Sequence, residues 1–530
     1  MGNADLLTAV VFLPAVGALL LTLFPVQDHT NLKATAIGIS LATLGLSLGL
    51  WFGFQPGVAG YQFAADAPWI PELGIGYRIG IDGISLVLIV LTTFLCPITL
   101  LGAWSTIDKR VKEFVVAMLV LETGMLGAFA ALDLFLFYVF WEAMLIPMYF
   151  IIGIWGGQRR VYAAIKFFIF TMAGSLLMLL AIIYVAQAGP AWDFSLAGAL
   201  GRDLNPAVQR YLFWAFAIAF AVKVPMFPLH TWLPDAHVEA PTLGAGIRVW
   251  VLVKLGVFGL SRGGFPRCRE SAMEGLPILG WFAVAGIIYG ALVAWVQADM
   301  KKLVAYSSVS HLGFCMLGLA ALTTEGVAGA LFVCVAHGVS TGALFMMVGV
   351  IYERRHTRIL ADYGGIAKQV PVYAFFLVMT AMASAGLPAL SGFPGEFLVL
   401  LGTFTAPDVI PGVQPRLWGI LGATGVILAA VYILWMVQRV LFGPLDNAAN
   451  EKLTDMNVRE IFAVSSLMGA AVVLGLAPNL VLDKLERPVG ELVQTLHQRT
   501  GGRYAPDVGQ LRAGATEADP VKIVVKEAGH

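Results

Sequence analysis

Apolar runs long enough to cross a bilayer recur along almost the whole chain, and they dictate its solvent. Runs of 17 or more residues lie near 6–24, 34–54, 84–104, 114–131, 134–154, 163–186, 211–229, 244–260, 277–298, 302–322, 327–351, 371–403, 417–442 and 460–481. About 20 such residues form a helix roughly 30 Å long, the thickness of a bilayer's hydrocarbon core. Lipid offers no hydrogen bonds, so each run must satisfy its own backbone, and this selects helices. The expected fold class is an all-α integral membrane protein with about 14 transmembrane helices. Composition agrees: 59% of the 530 residues are hydrophobic and 12% charged, whereas soluble domains hold about a quarter charged. The N-terminus has no basic region or small-residue cleavage site, so its first run reads as a retained span.

Several function classes fall away. Lysine and arginine number 33, as do aspartate and glutamate, so no nucleic acid partner is expected. Cys96, Cys268, Cys315 and Cys334 stand singly, with no CxxC or CxxH spacing to support an iron–sulfur cluster or structural zinc. His230 and His237 are seven apart across a proline break, which fits no helical ligand spacing. His311 and His337 could face one another across a haem, but nothing supports it. Glycine-rich nucleotide fingerprints after a strand are absent, hardly any strand being expected. No cofactor or metal is expected in this chain.

Charge inside the apolar runs is the informative feature. In Phe137–Phe150, FYVFWEAMLIPMYF, Glu142 stands alone among thirteen uncharged residues, far from either water layer. Glu122, Lys223, Arg248, Lys254, His311, His337 and Glu396 also lie within spans, with Lys166 and His230 close to span ends. Each buried lysine or carboxylate costs about 2.5–3.5 kcal/mol on insertion scales, so keeping this many needs a reason. Histidine titrates near neutrality and burial can bring lysine or glutamate toward it, so such a row with intervening water can pass protons. Blander readings stand beside this one. Glu396 could cap a half-helix N-terminus, the histidines could bond core carbonyls, and Lys166 and His230 could snorkel to the headgroups. Glu122, Glu142, Lys223 and Lys254 could serve packing or ion pairing alone.

Two spans are broken by proline. Pro225 and Pro228 interrupt the seventh just after Lys223, and Pro388 and Pro394 interrupt the twelfth just before Glu396. The breaks are five spans apart, an odd offset that would invert one half against the other. Inverted repeats with matching discontinuous helices mark ion-transporting membrane folds. Loops after odd-numbered spans carry fifteen lysines and arginines and those after even-numbered spans seven. Odd loops are therefore expected in the cytoplasm and both termini on the opposite side. The expected organisation is an N-terminal three-helix segment (1–110), a first repeat (111–262), a second inverted repeat (275–445), a last span (455–482) and a polar tail (483–530).

The runs FYVFWEAMLIPMYFIIGIWGG (137–157), AAIKFFIFTMAGSLLML (163–179), FAVKVPMFPLHTWLPDAHVEAPT (220–242), VAYSSVSHLGF (304–314), HGVSTGALF (337–345) and DYGGIA (362–367) resemble one family. It is the M-chain family of bacterial NADH:quinone oxidoreductase, respiratory complex I, homologous to subunits of multisubunit sodium/proton antiporters. The resemblance covers nearly all of residues 1–482. It implies two inverted five-helix repeats, spans 4–8 and 9–13, and proton translocation coupled to electron transfer from NADH to quinone in other subunits. It also implies that Glu142 and Lys223 form a carboxylate–lysine pair, that Lys254 is a bridging lysine, that His311 and His337 are relay residues, and that Glu396 is the terminal site. Glu122, Lys166 and His230 would be accessory. NADH, FMN, iron–sulfur clusters and quinone would be held by partner subunits, and neighbouring antiporter-like subunits and lipid would surround this chain in the bacterial inner membrane. Arg248, where the family usually has an apolar residue, and the 485–530 tail depart from the pattern. The alternative is a subunit of a stand-alone sodium/proton antiporter. A scaffold that merely bridges other subunits is a third reading.

Overall fold

A computed structural model describes residues 3–202, 204–241, 251–408 and 412–498. Arg248 and the chain beyond 498 lie outside the described residues. The first four helices are α1 (Asn3–Thr22), α2 (His29–Gly53), α3 (Gly83–Gly102) and α4 (Val111–Ala130). Next come α5 (Leu134–Ala143), α6 (Leu145–Trp155), α7 (Arg160–Gln187), α8 (Leu196–Gly201), α9 (Pro206–Lys223), α10 (Trp232–Glu239) and α11 (Lys254–Gly259). The second half holds α12 (Arg269–Trp295), α13 (Met300–Ala321), α14 (Thr324–Arg355), α15 (Pro371–Ser384), α16 (Gly392–Thr405), α17 (Pro415–Leu441), α18 (Val458–Leu476) and α19 (Asn479–Gln498).

Short polar residues start these helices where the sequence turns apolar. The carboxylates of Asp28, Asp82, Asp133 and Asp299 accept backbone N–H groups in the first turns of α2, α3, α5 and α13. Thr323 does the same for α14, and Asn457 with Glu460 forms a reciprocal capping box on α18. Each cap satisfies donors that a helix start leaves orphaned.

Eleven stretches among the described residues are long and apolar enough to cross a membrane. The other three expected runs take different forms. The seventh is α9, a break and α10; the twelfth is α15, a break and α16. The eighth begins among residues outside the description and continues as α11 and a π-helical turn, Leu260–Gly264. Burial identifies the centre of the bundle. The apolar windows of α13 and α14 are 94% and 100% buried, against 39% for α7 and for α17. The two innermost helices therefore meet protein on every side, and both carry a histidine at mid-length.

Three features differ from the sequence reading. Residues 62–81 of the early loop form an antiparallel hairpin, β1 (Gln62–Ile70) and β2 (Ile75–Ile81), where hardly any strand was expected. Arg78 on β2 reaches Asp133 at 2.8 Å and fastens the hairpin to the start of α5. Residues 479–498, placed mostly in the polar tail, form the amphipathic α19. It buries Val481, Leu485, Val489, Leu492, Val493 and Leu496 and packs on α3 and α14. The fifth span, Leu134–Trp155, carries a one-residue irregularity at Met144, whose backbone stays helical (φ −76°, ψ −23°), between α5 and α6. Pro147 explains this: it lacks an N–H, and its ring clashes with the carbonyl four residues earlier, that of Ala143.

Candidate functional site

Four of the expected residues converge where α11, α13, α14 and α16 meet. Nζ of Lys254 lies 3.0 Å from Nδ1 of His337. The rings of His337 and His311 meet edge-on with centroids 5.9 Å apart. Nδ1 of His311 lies 2.9 Å from Oε1 of Glu396. All four residues are buried. The helices dictate this order. α13 and α14 run antiparallel, so His311 faces His337, and in the next layer the thiols of Cys315 and Cys334 come within 3.6 Å.

Hydrogen-bond chemistry assigns roles along this line. Against an ionised Glu396, which only accepts, Nδ1 of His311 is the donor. Its Nε2 then faces the hydroxyls of Tyr432 on α17 at 3.3 Å and Ser384 on α15 at 3.5 Å. Sequence reasoning missed both. Neither carries a formal charge, so the cost argument that singled out the others passes over them. Glu396 is the fifth residue of α16 rather than its cap, and its partner is a histidine. Gly386, in the break before α16, has φ +75°, and a Cβ there would sit 2.8 Å from Oε2 of Glu396. Only glycine fits that backbone and leaves the carboxylate its place.

The first half is arranged differently. Lys223 ends α9, where the helix dipole favours a cation. The break after it is closed by the indole N–H of Trp232, which donates to the carbonyl of Val222 at 2.9 Å. Nζ of Lys223 has no hydrogen-bond partner among the described residues. It lies over the ring of Trp141, 4.6 Å from the centroid. Glu142 is half-buried, with its Oε1 sealed and unbonded, and Tyr138, itself beside Ser175, is its neighbour. Glu142 and Lys223 are close enough to interact electrostatically but do not form an ion pair.

The accessory residues divide. Lys166 forms an ion pair with Asp235 of α10 at 2.7 Å. His230, in the break after α9, stacks on Phe227 and meets Tyr289 edge-on. Glu122 accepts from Ser40 Oγ at 2.8 Å, facing α2 rather than the line of charges. Among the described residues no group of three His, Cys, Asp or Glu could hold a metal ion.

Residues 131–410 match the model of the family described as NADH:quinone oxidoreductase/Mrp antiporter, transmembrane. The chain belongs to this family. The matched region contains Glu142, Lys223, Lys254, His311, His337 and Glu396, and ends outside Glu122. Among family members, NADH-quinone oxidoreductase subunit M of Rhodobacter capsulatus is 44% identical over 514 residues, covering 94% of this chain and 98% of that protein. A chain of respiratory complex I from Thermus thermophilus with bound NADH superposes with TM-score 0.84 at 32% identity, covering 92% of this chain and 99% of that one. A chain of the Mrp complex from Dietzia sp. DQ12-45-1b shares the fold, with TM-score 0.77 at 22% identity over 94% of this chain and 52% of its own.

Proposed function

We propose that this chain is a proton-translocating, antiporter-like membrane subunit of a complex I type NADH:quinone oxidoreductase. The observation that carries the reading is the unbroken series Lys254–His337–His311–Glu396 inside the most buried part of the bundle. Every member can hold or release a proton. Each step is a hydrogen bond or a ring-to-ring approach that one water can bridge. Isolated charges in lipid would be a liability, whereas a connected series gives their cost a use.

In this reading Glu142 and Lys223 form the working pair of the first half. An ammonium beside a carboxylate is favoured in its charged form, and a buried ammonium without one sheds its proton more readily. Opening and closing the pair therefore converts a small movement into proton release. Lysine suits the task because its proton affinity responds to surroundings, and guanidinium does not. Glu396, with His311, plays the corresponding part in the second half. The two breaks five spans apart support inverted repeats over spans 4–8 and 9–13 within about fourteen spans. The segment limits 1–110, 111–262, 275–445, 455–482 and 483–530 belong to the same proposal.

NADH, FMN, iron–sulfur clusters and quinone belong, in this proposal, to partner subunits, and other membrane subunits and lipid flank this chain in the bacterial inner membrane. Loop charge favours both termini on the non-cytoplasmic side. The names of the relatives favour this over a stand-alone sodium/proton antiporter.

The test is NADH-driven proton uptake by inverted vesicles carrying His311→Leu in an assembled complex, with oxidation measured in the presence of uncoupler. Pumping is expected to collapse. Normal pumping would leave the scaffold reading standing, and transport that persists without any NADH-oxidising partner would favour the stand-alone antiporter.

A further inference from the structure

The side chain against which Lys223 rests belongs to the residue just before Glu142. Trp141 is buried and wedged between Phe137 and Phe220, with ring centroids 5.5 and 5.7 Å away. Its indole nitrogen has no hydrogen-bond partner among the described residues. A buried tryptophan normally finds one, so the N–H does not explain why tryptophan stands here. Its ring face, by contrast, is occupied by the Lys223 ammonium. A buried ammonium without hydrogen bonds is expensive, and an aromatic face is the remaining group that stabilises a cation without accepting a hydrogen bond.

We propose that Trp141 is a positioning residue whose indole face holds Lys223 apart from Glu142, so that the lysine alternates between a π face and a carboxylate offered by consecutive residues of α5. This rests on the reading that the Glu142–Lys223 pair takes part in translocation. Consecutive helical residues point about 100° apart, so a partial turn of the last residues of α5 or a swing of the lysine exchanges the two partners. The backbone favours the former. The helix is irregular at Met144, two residues past Glu142, and Pro147 leaves the Ala143 carbonyl without its helical donor there. The ring face stabilises the ammonium without offering a base, so a proton is held there and not neutralised. The carboxylate offers the alternative, a closed pair.

The test compares Trp141→Tyr, Trp141→Phe, Trp141→Leu and Trp141→Met in the complete complex, with Glu142→Gln in parallel. NADH-driven proton uptake and uncoupled NADH oxidation are read on vesicles with assembly checked. Losing the π face should change the ratio of apart to paired forms by about 2- to 30-fold, the span of ordinary cation–π strengths. Leu and Met should therefore pump several-fold less per NADH oxidised, while Phe and Tyr, close to them in size, rescue most of it. If Leu does not assemble, Met against Phe makes the same comparison. Equal pumping by the aromatic and aliphatic variants, at any level, overturns the proposal. If Glu142→Gln abolishes pumping while that series is flat, the assignment to Trp141 alone fails; normal pumping by Glu142→Gln removes the pair reading beneath it.

Discussion

The ammonium nitrogen of Lys254 sits 3.0 Å from Nδ1 of His337, deep between α11 and α14. A protonated lysine can only donate, so in that state Nδ1 accepts and the histidine proton resides on Nε2. That Nε2 is buried without a partner among the described residues. If the lysine gives up its proton, the same contact reverses, with Nδ1–H donating. One hydrogen bond thus has two proton placements, which is what a relay requires.

It follows that Lys254→Arg should assemble yet pump poorly, since a guanidinium retains its proton. Lys254→Met should abolish pumping. His337→Gln keeps a carbonyl acceptor and should retain part of the activity, whereas His337→Leu should not. Proton uptake per NADH oxidised in assembled complexes distinguishes these four.

Gly386 should be intolerant of any side chain. Its positive φ and the 2.8 Å approach to Glu396 mean that alanine strains the backbone and pushes the carboxylate off His311. Gly386→Ala is expected to lose about 1 kcal/mol or more of local stability and to lower pumping. Heat-induced loss of this subunit from the complex, measured beside proton uptake, checks both.

Much of this was legible from cost. Ionisable residues in lipid-length runs stand out, and Lys254, His337, His311 and Glu396 were singled out that way before the helices brought them together. What escaped has physical reasons. Tyr432 and Ser384 are uncharged and look like ordinary span residues. The hairpin at 62–81 lies at the end of the spans, where turn-rich composition hides strand alternation. The α19 helix carries polar residues over most of its surface, so its mean hydropathy reads as a tail although Val481, Leu485, Val489, Leu492, Val493 and Leu496 are buried. The irregularity at Met144 was signalled by Pro147, whose effect falls four residues upstream. The separation of Lys223 from Glu142 is a matter of side-chain conformation, which no linear pattern encodes.

Pro147→Ala should mend that irregularity. With the N–H restored and the ring removed, α5 and α6 can join into one regular helix, fixing the turn that carries Trp141 and Glu142. The variant should be at least as resistant to heat as the parent and pump less. Melting and proton uptake moving in the same direction would argue against a functional hinge.

Membrane orientation can be read by cysteine labelling without first removing native cysteines, since all four are free and buried. Gln158→Cys should react with an impermeant maleimide only after cells are opened, and Thr500→Cys in intact spheroplasts. The reverse pattern would invert the orientation.

The central claim is that Glu142 and Lys223 act as one unit. Its most direct test is NADH-driven proton uptake in inverted vesicles bearing Glu142→Gln, Lys223→Met and both together, with assembly verified. Each single change should abolish pumping, and the double change should cost little more than either, because each alone already disables the pair. Normal pumping by assembled Glu142→Gln, or losses that simply multiply in the double variant, would contradict the account.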